Sequence, residues 1–282
     1  MADEVNALGQ PVGFAVAGWT PPPLPPRDPM IGCTCRVEPL DPARHAAQLH
    51  AANLLDSDGR NWTYLPYGPF ASLAEYRRWL DSVAAGTDPM FHAVVDLASE
   101  EAVGVASYLR IDPAAGSIEV GHINYSPKLQ RRIAATEAMY LMMKRAFELG
   151  YRRYEWKCHA LNAPSRAAAQ RFGFSYEGIF RQARVDKGRN RDTAWYACID
   201  GSPSAHEHRF GIRCLREFLN QIRVTRIAAI TAIPNTRRSR LSLDHAPPST
   251  WIRLLNPLPH PLPPRRRRQK KHPLQLHLHP RR

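Results

Sequence analysis

The sequence predicts an α+β domain built in α/β/α layers, and three observations predict it. Four stretches carry helical signals and seven carry strand signals. Caps and turn residues fall between these stretches rather than inside them. Their order is strand–helix–helix–three strands–helix–strand–helix–two strands, with no internal repeat. A chain of 282 residues is also long enough to bury a sizeable core.

The elements follow in order. The segment "PPPLPPRDP" at 21–29 is a polyproline II arm, read as lying on the domain or, alternatively, as an SH3-type ligand. From residue 31 "IGCTCRVEPL" reads as a strand, with Cys33 and Cys35 on one face. Asp41-Pro42 then caps and opens a helix over 41–55. Two prolines and a glycine make "NWTYLPYGPF" a loop, rich in aromatics. In the next helix Leu73, Tyr76, Leu80 and Val83 recur at helical spacing, with Ser72 and Glu75 as capping box and Gly86 as stop. Strands over 91–97, 102–111 and 117–126 follow, divided by Asp112-Pro113 and Gly116. Ala135, Ala138, Met139, Met142, Ala146 and Leu149 mark a third helix, ended by Gly150. "RRYEWKC" is a strand, and Asn162 caps a short helix ended by Gly173. "FSYEGIFRQARV" and "DTAWYACI" form a hairpin around 187–190.

Three regions result: a Pro-rich arm over 1–30, a folded domain over 31–200 and a basic tail over 201–282. The formal net charge of +14 lies wholly in the tail, because residues 1–200 hold 22 Lys/Arg and 22 Asp/Glu. The tail, with 17 Lys/Arg, 3 Asp/Glu and 11 prolines, is expected to be disordered. It reads either as a non-specific nucleic-acid arm or, the favoured reading, as out-of-frame or unspliced GC-rich coding sequence. The start "MADEVNALGQ" lacks a secretory pattern, and no apolar run is long enough to span a membrane. Five scattered cysteines without CxxC or HxxxH spacing argue against a disulfide framework and against a metal. A cytoplasmic setting follows from these readings.

The chemistry starts at "SPKLQRRIAATEA", residues 126–138. A strand runs directly into Lys128, Gln130, Arg131 and Arg132, and then a helix begins. A helix N-terminus offers unpaired N–H groups and positive potential, so basic residues there suit a phosphate. This loop resembles motif A of the GNAT acetyltransferases, with Gln130, Arg131, Arg132, Ile133, Ala134 and Ala135 in the Gln/Arg-x-x-Gly-x-Gly/Ala pattern, followed by "TEA". "NAPSRAAAQRFGF" is similar to the family's Asn-x-x-Ser/Ala…Gly-Phe segment through Asn162, Ser165, Gly173 and Phe174. "GRNRDTAWYACID" resembles the last hairpin of the RimJ/RimL-like branch, which acetylates ribosomal-protein N-termini. The resemblance covers about residues 31–200.

That resemblance implies a GNAT fold: a mixed, mostly antiparallel sheet of six to seven strands, splayed between the fourth and fifth, with helices on both faces. It implies acetyl-CoA as co-substrate, a primary amine as acceptor (a small molecule or a protein N-terminus), direct attack in a ternary complex and no metal. Acetyl-CoA contacts are implied for Ser126, Gln130, Arg131, Arg132, Ile133, Ala134, Ala135, Thr136, Asn162 and Ser165. Catalytic roles are implied for Glu119 or His122 as base and for Ser165 at the CoA sulfur. Strand alternation puts Glu119 and His122 on opposite faces. Trp62, Tyr64, Tyr67 and Phe70 would shape the acceptor site, and Asp192 matches a hairpin Asp. Each residue also has a plainer reading: a paired strand carboxylate, a core histidine, helix caps at Asn162 and Ser165, a core tryptophan, a turn cap at Asp192. Ile133 stands where the family has Gly, and Ala169 where many members carry a thiolate-protonating tyrosine. An inactive GNAT-fold CoA binder and a nucleic-acid binder acting through the tail are the competing functions.

Overall fold

The computed structural model describes residues 4–201. The expectations for the basic tail fall on residues 202–282, outside the described ones. A small hairpin of β1 (Glu4–Val5) and β2 (Pro11–Val12) precedes the proline-rich arm. The arm packs on the domain through buried Pro22 and Pro25. The Tyr151 hydroxyl donates to the Pro23 carbonyl at 3.1 Å, and the Arg27 guanidinium donates to the carbonyls of Ala84, Ala85 and Gly86.

Eight strands form the main sheet: β3 (Met30–Ile31), β4 (Cys35–Pro39), β5 (Met90–Asp96), β6 (Glu101–Asp112), β7 (Ser117–Tyr125), β8 (Arg153–His159), β9 (Ser175–Asp186) and β10 (Arg189–Ile199). Their spatial order is β3-β4-β5-β6-β7-β8-β10-β9. The expected six to seven strands become eight because two-residue β3 pairs with β4 at the edge, too short to leave a periodic signal. Cys33 lies outside β4 and is exposed while Cys35 is buried, so the two do not share a strand face as expected.

All pairings are antiparallel except β7 with β8. A parallel neighbour requires a crossover, and helix α3 (Ile133–Glu148) provides it. β7 and β8 pair only from Ser117↔Arg153 to Val120↔Trp156 and then diverge. This is the expected splay, and it opens the sheet where β7 hands over to α3.

Helices α1 (Pro42–Asn53) and α2 (Leu73–Ala84) cover one face through Ala46, Leu49, Tyr76 and Leu80. Helix α3 and helix α4 (Ala163–Arg171) belong to the other core, with Ala138, Met139, Met142 and Ala169. β5 serves both: Met90 and Val94 enter one core, Phe91, Ala93 and Val95 the other. The caps are the expected ones. Asp41 accepts from Ala43 N–H, Ser72 from Glu75 N–H and Asn162 from Ser165 N–H. Leu73 sits exposed at the start of α2 instead of in its apolar face.

Candidate active site

The site begins with an irregularity in β7. Val105 faces Asn124, but Ser107 faces Gly121, so β7 carries one extra residue against β6. His122 takes up that residue with φ 50°, in the left-handed region. A one-residue bulge reverses the phase of alternation. Glu119 and His122 therefore line one cavity of ≈ 310 Å³, not opposite faces as regular alternation requires. The cavity lies at the splay, between β7, the β8 residues Trp156–Cys158, the start of α4 and the inner face of β10.

Glu119 is 3% exposed. Its Oε2 accepts from Arg110 Nη1 at 2.7 Å and pairs with Lys157 Nζ at 2.9 Å, while Oε1 has no partner among the described residues. Burial raises the pKa of this carboxyl, and the Arg110 and Lys157 cations hold back part of that rise. Arg110 reaches Glu119 from a second irregularity: its φ is 45°, and Asp88 accepts from the N–H groups of Arg110 and Ile111 at 2.7 and 3.1 Å. Lys157 also pairs with Glu155 at 2.6 Å and lies 3.8 Å over the Trp195 ring.

His122 stacks on Tyr67 at 12° between ring planes, and its Nδ1 shares a 3.1 Å hydrogen bond with the Tyr67 hydroxyl. Burial pushes its pKa from 6.5 down to about 4, helped by Arg110, Arg184 and Arg191. The ring is thus neutral at neutral pH and a weak base.

Asn162 and Ser165 meet at the α4 N-terminus, where the Asn162 side chain accepts from Ser165 N–H at 3.1 Å. Ser165 Oγ accepts from the Trp156 indole at 3.0 Å, which leaves the hydroxyl hydrogen to donate. Both residues line the cavity. Ala169 is fully buried in the main core.

The basic loop lies beside this cavity and does not line it. Ser126 is a buried pin, its hydroxyl donating to the Val103 carbonyl at 2.6 Å. Gln130 donates to Asn61 Oδ1 at 2.8 Å and to the Tyr125 carbonyl at 2.7 Å. Asn61 lines the cavity, so Gln130 ties loop to cavity wall. Arg131 and Arg132 are exposed and make no ion pair among the described residues. Ile133 and Ala134 open α3 with N–H groups that have no hydrogen-bond partner among the described residues, while Ala135 N–H bonds Arg132 O at 3.2 Å and Thr136 is half-buried. The left-handed backbone sits at Arg131 (φ 59°), not at Ile133, which is the first helical residue. The missing glycine therefore creates no strain at Ile133.

The aromatic loop roofs the cavity with Tyr64, Leu65 and Pro66. Its 3₁₀ turn, Arg60–Trp62, buries Trp62 to 5% exposure, against the Phe70 ring at 5.5 Å. Tyr64 donates to the Leu161 carbonyl at 3.2 Å, and Lys187 at the hairpin tip donates to the carbonyls of Trp62 and Gly68 at 2.8 Å. Asp192 accepts from Gln182 N–H at 2.8 Å and from Asn190, a hairpin role. Sequence reasoning missed Arg110, Lys157, Arg184 and the β10 face Arg191, Thr193 and Trp195. Only the last had a signal: alternate positions in "RDTAW" share one face. Among the described residues, no group of three His, Cys, Asp or Glu side chains could hold a metal ion. No helix there is long and apolar enough to cross a membrane.

Comparison with known proteins fits this geometry. The family model for the acetyltransferase (GNAT) domain matches residues 36–175. A GCN5-related N-acetyltransferase from Brucella melitensis is 49% identical with a TM-score of 0.64, over 66% of this chain and 84% of that one. A GNAT-family protein from Chromobacterium violaceum is 43% identical, also at 0.64, over 68% of this chain and 96% of that one. An acetyltransferase from Salmonella typhimurium, which modifies the N-terminal serine of ribosomal protein L7/L12, shares the fold at 23% identity and a TM-score of 0.51, over 60% of this chain and 96% of that one. No curated protein matches the sequence. With two solved structures above 40% identity, matched over 84% and 96% of their own lengths, the chain belongs to the GNAT family of acetyltransferases.

Proposed function

We propose that this enzyme moves an acetyl group from acetyl-CoA to a primary amine by direct attack in a ternary complex. One observation carries the reading: the splay brings a buried carboxylate with one open oxygen, Glu119, into a cavity beside a helix start with unpaired N–H groups. The Ile133 and Ala134 amides with the unpaired Arg131 and Arg132 cations suit a pyrophosphate, as helix dipole and charge both favour an anion there. Ser126 and Gln130 act on the loop's shape, Ala135 and Thr136 continue its first turn, and Asn162 sets the start of α4. Bound acetyl-CoA supplies a thioester carbonyl and a thiolate leaving group. Glu119 Oε1 takes the amine proton, its raised pKa making it a better base than an exposed glutamate. His122 keeps a neutral ring against the acceptor. Beyond Val120, β7 has no β8 partner, so its backbone donors open on the cleft and can stabilise the developing oxyanion. Ser165 is the donor to the sulfur, since Ala169 has no proton to give. The likeness of the last hairpin supports the RimJ/RimL-like branch, and the free thiols of Cys33, Cys35, Cys158 and Cys198 suit a cytoplasmic setting.

Thiol release from acetyl-CoA with a panel of primary amines tests this on the full chain. Amine-dependent release is expected, with kcat/KM falling about 100-fold or more in Glu119→Gln. The acid limb of the pH profile, due to Glu119 protonation, disappears with it. Acetyl-CoA binding without release for any amine contradicts the reading and leaves an inactive CoA-binding protein.

A further inference from the structure

One face of β10 carries three buried polar atoms without a partner among the described residues: Arg191 Nε, Thr193 Oγ1 and Trp195 Nε1. All three residues line the splay cavity, at alternate positions about 7 Å apart along the strand. Thr193 is 6% exposed, and its hydroxyl has no hydrogen-bond partner among the described residues. Buried polar groups in folded proteins are nearly always paired, and three orphans on one wall point to a missing partner.

The charge lining the cavity is mostly positive. The cavity wall holds Arg110, Lys157, Arg184 and Arg191 against Glu119 alone. Behind the wall, Asp186 pairs with Arg184 at 3.3 Å and with Arg191 at 2.8 Å, and Glu155 pairs with Lys157, so four cations face three carboxylates. Arg184 holds its carboxylate by one long contact and is half exposed, so it is the cation freest to turn inward. Arg191 gives only Nη1 to Asp186, which leaves its buried Nε without a partner among the described residues.

Building on the acetyltransferase reading, we infer that the acceptor is a small amine that also bears an anionic oxygen group, carboxylate or phosphate, held by Arg184, Arg191 and Thr193. The amine end then lies toward Glu119. The cavity of ≈ 310 Å³ suits an acceptor of this size. The same cations disfavour an ammonium and so help deliver the amine in its neutral, nucleophilic form. Burial lowers the His122 pKa, and Arg110, Arg184 and Arg191 lower it further.

The test is calorimetric titration of matched pairs into the full chain saturated with CoA: a free amino acid against its amide, and phosphoethanolamine against ethanolamine. The anionic member of at least one pair should bind about tenfold more tightly, and the pair with the larger ratio names the anion. Arg184→Gln should bring that ratio close to one. Thr193→Val should weaken the anionic acceptor about fivefold without lowering Tm, because a buried hydroxyl without a partner adds nothing to the free protein's stability. Equal affinities within both pairs, or no binding of any, overturn the inference. A parallel titration with acetyl-CoA separates the two claims: if acetyl-CoA binds without anion preference, only the acceptor assignment falls. If acetyl-CoA does not bind, the acetyltransferase reading falls as well.

Discussion

Arg110, His122 and Arg131 are non-glycine residues with φ of 45°, 50° and 59°, and each serves the proposed site. Arg110 turns its guanidinium onto Glu119, His122 restores Glu119 and itself to one cavity, and Arg131 turns the chain into α3. Left-handed backbone costs a non-glycine residue on the order of 1 kcal/mol, and such residues cluster where geometry matters. None of the three is announced by a glycine or asparagine, so the sequence could not reveal them. Ile133, by contrast, invites suspicion and proves ordinary, as the 37% exposed first residue of a helix. Ile133→Gly should therefore leave acetyl-CoA affinity within about twofold and lower stability by about 0.5–1 kcal/mol through lost helix propensity. A large gain in affinity on titration would show that the isoleucine does distort the cradle.

At the scale of elements, α3 is both crossover and clamp. Glu137, one turn into the helix, is buried, and its Oε1 accepts from Cys33 N–H at 2.6 Å. Its Oε2 accepts from the N–H groups of Thr34 and Cys35 at 2.7 and 3.1 Å. The carboxylate thus fastens the first long strand to the helix that follows the proposed phosphate loop. Glu137→Gln replaces one accepting oxygen with a donor facing donors. It should cost about 2–3 kcal/mol, read as a Tm lower by roughly 5–10 °C. An unchanged Tm would mean that water replaces the bond freely. The starts of α1, α2 and α4 were legible from caps, because Asp41, Ser72 and Asn162 each satisfy a backbone donor in the way their chemistry allows. The strand β3 and the bulges were not, since pairing across the sheet decides them and no local pattern carries it.

At the scale of the molecule, the family resemblance, carried by element order and the 126–138 loop, led to the splay, the proposed phosphate loop and the Glu119 strand. The proposed acceptor wall was not legible, because β6, β8 and β10 contribute Arg110, Lys157 and Thr193 from separate parts of the chain. The fold also sets a response to acid. His92 is fully buried, bonded only through Nδ1 to the Met90 carbonyl, and its pKa falls from 6.5 to about 4. His122 shifts in the same way. Each binds a proton more readily when unfolded, so stability is full above pH 6.5 and is lost as pH falls toward 4, by up to about 3 kcal/mol per histidine. The raised Glu119 pKa works in the opposite sense and offsets part of this. Denaturant unfolding at pH 7 and pH 5 should show the loss, and His92→Leu should reduce the slope by up to one proton. A pH-independent stability would contradict the burial of both rings.

The central claim is a working donor site at the start of α3, and titration of acetyl-CoA into the full chain tests it most directly. The account predicts micromolar binding, weakened about tenfold or more when Arg131 and Arg132 are both replaced by alanine, with circular dichroism unchanged. A folded protein that does not bind acetyl-CoA, or that binds equally well without the two arginines, would contradict it.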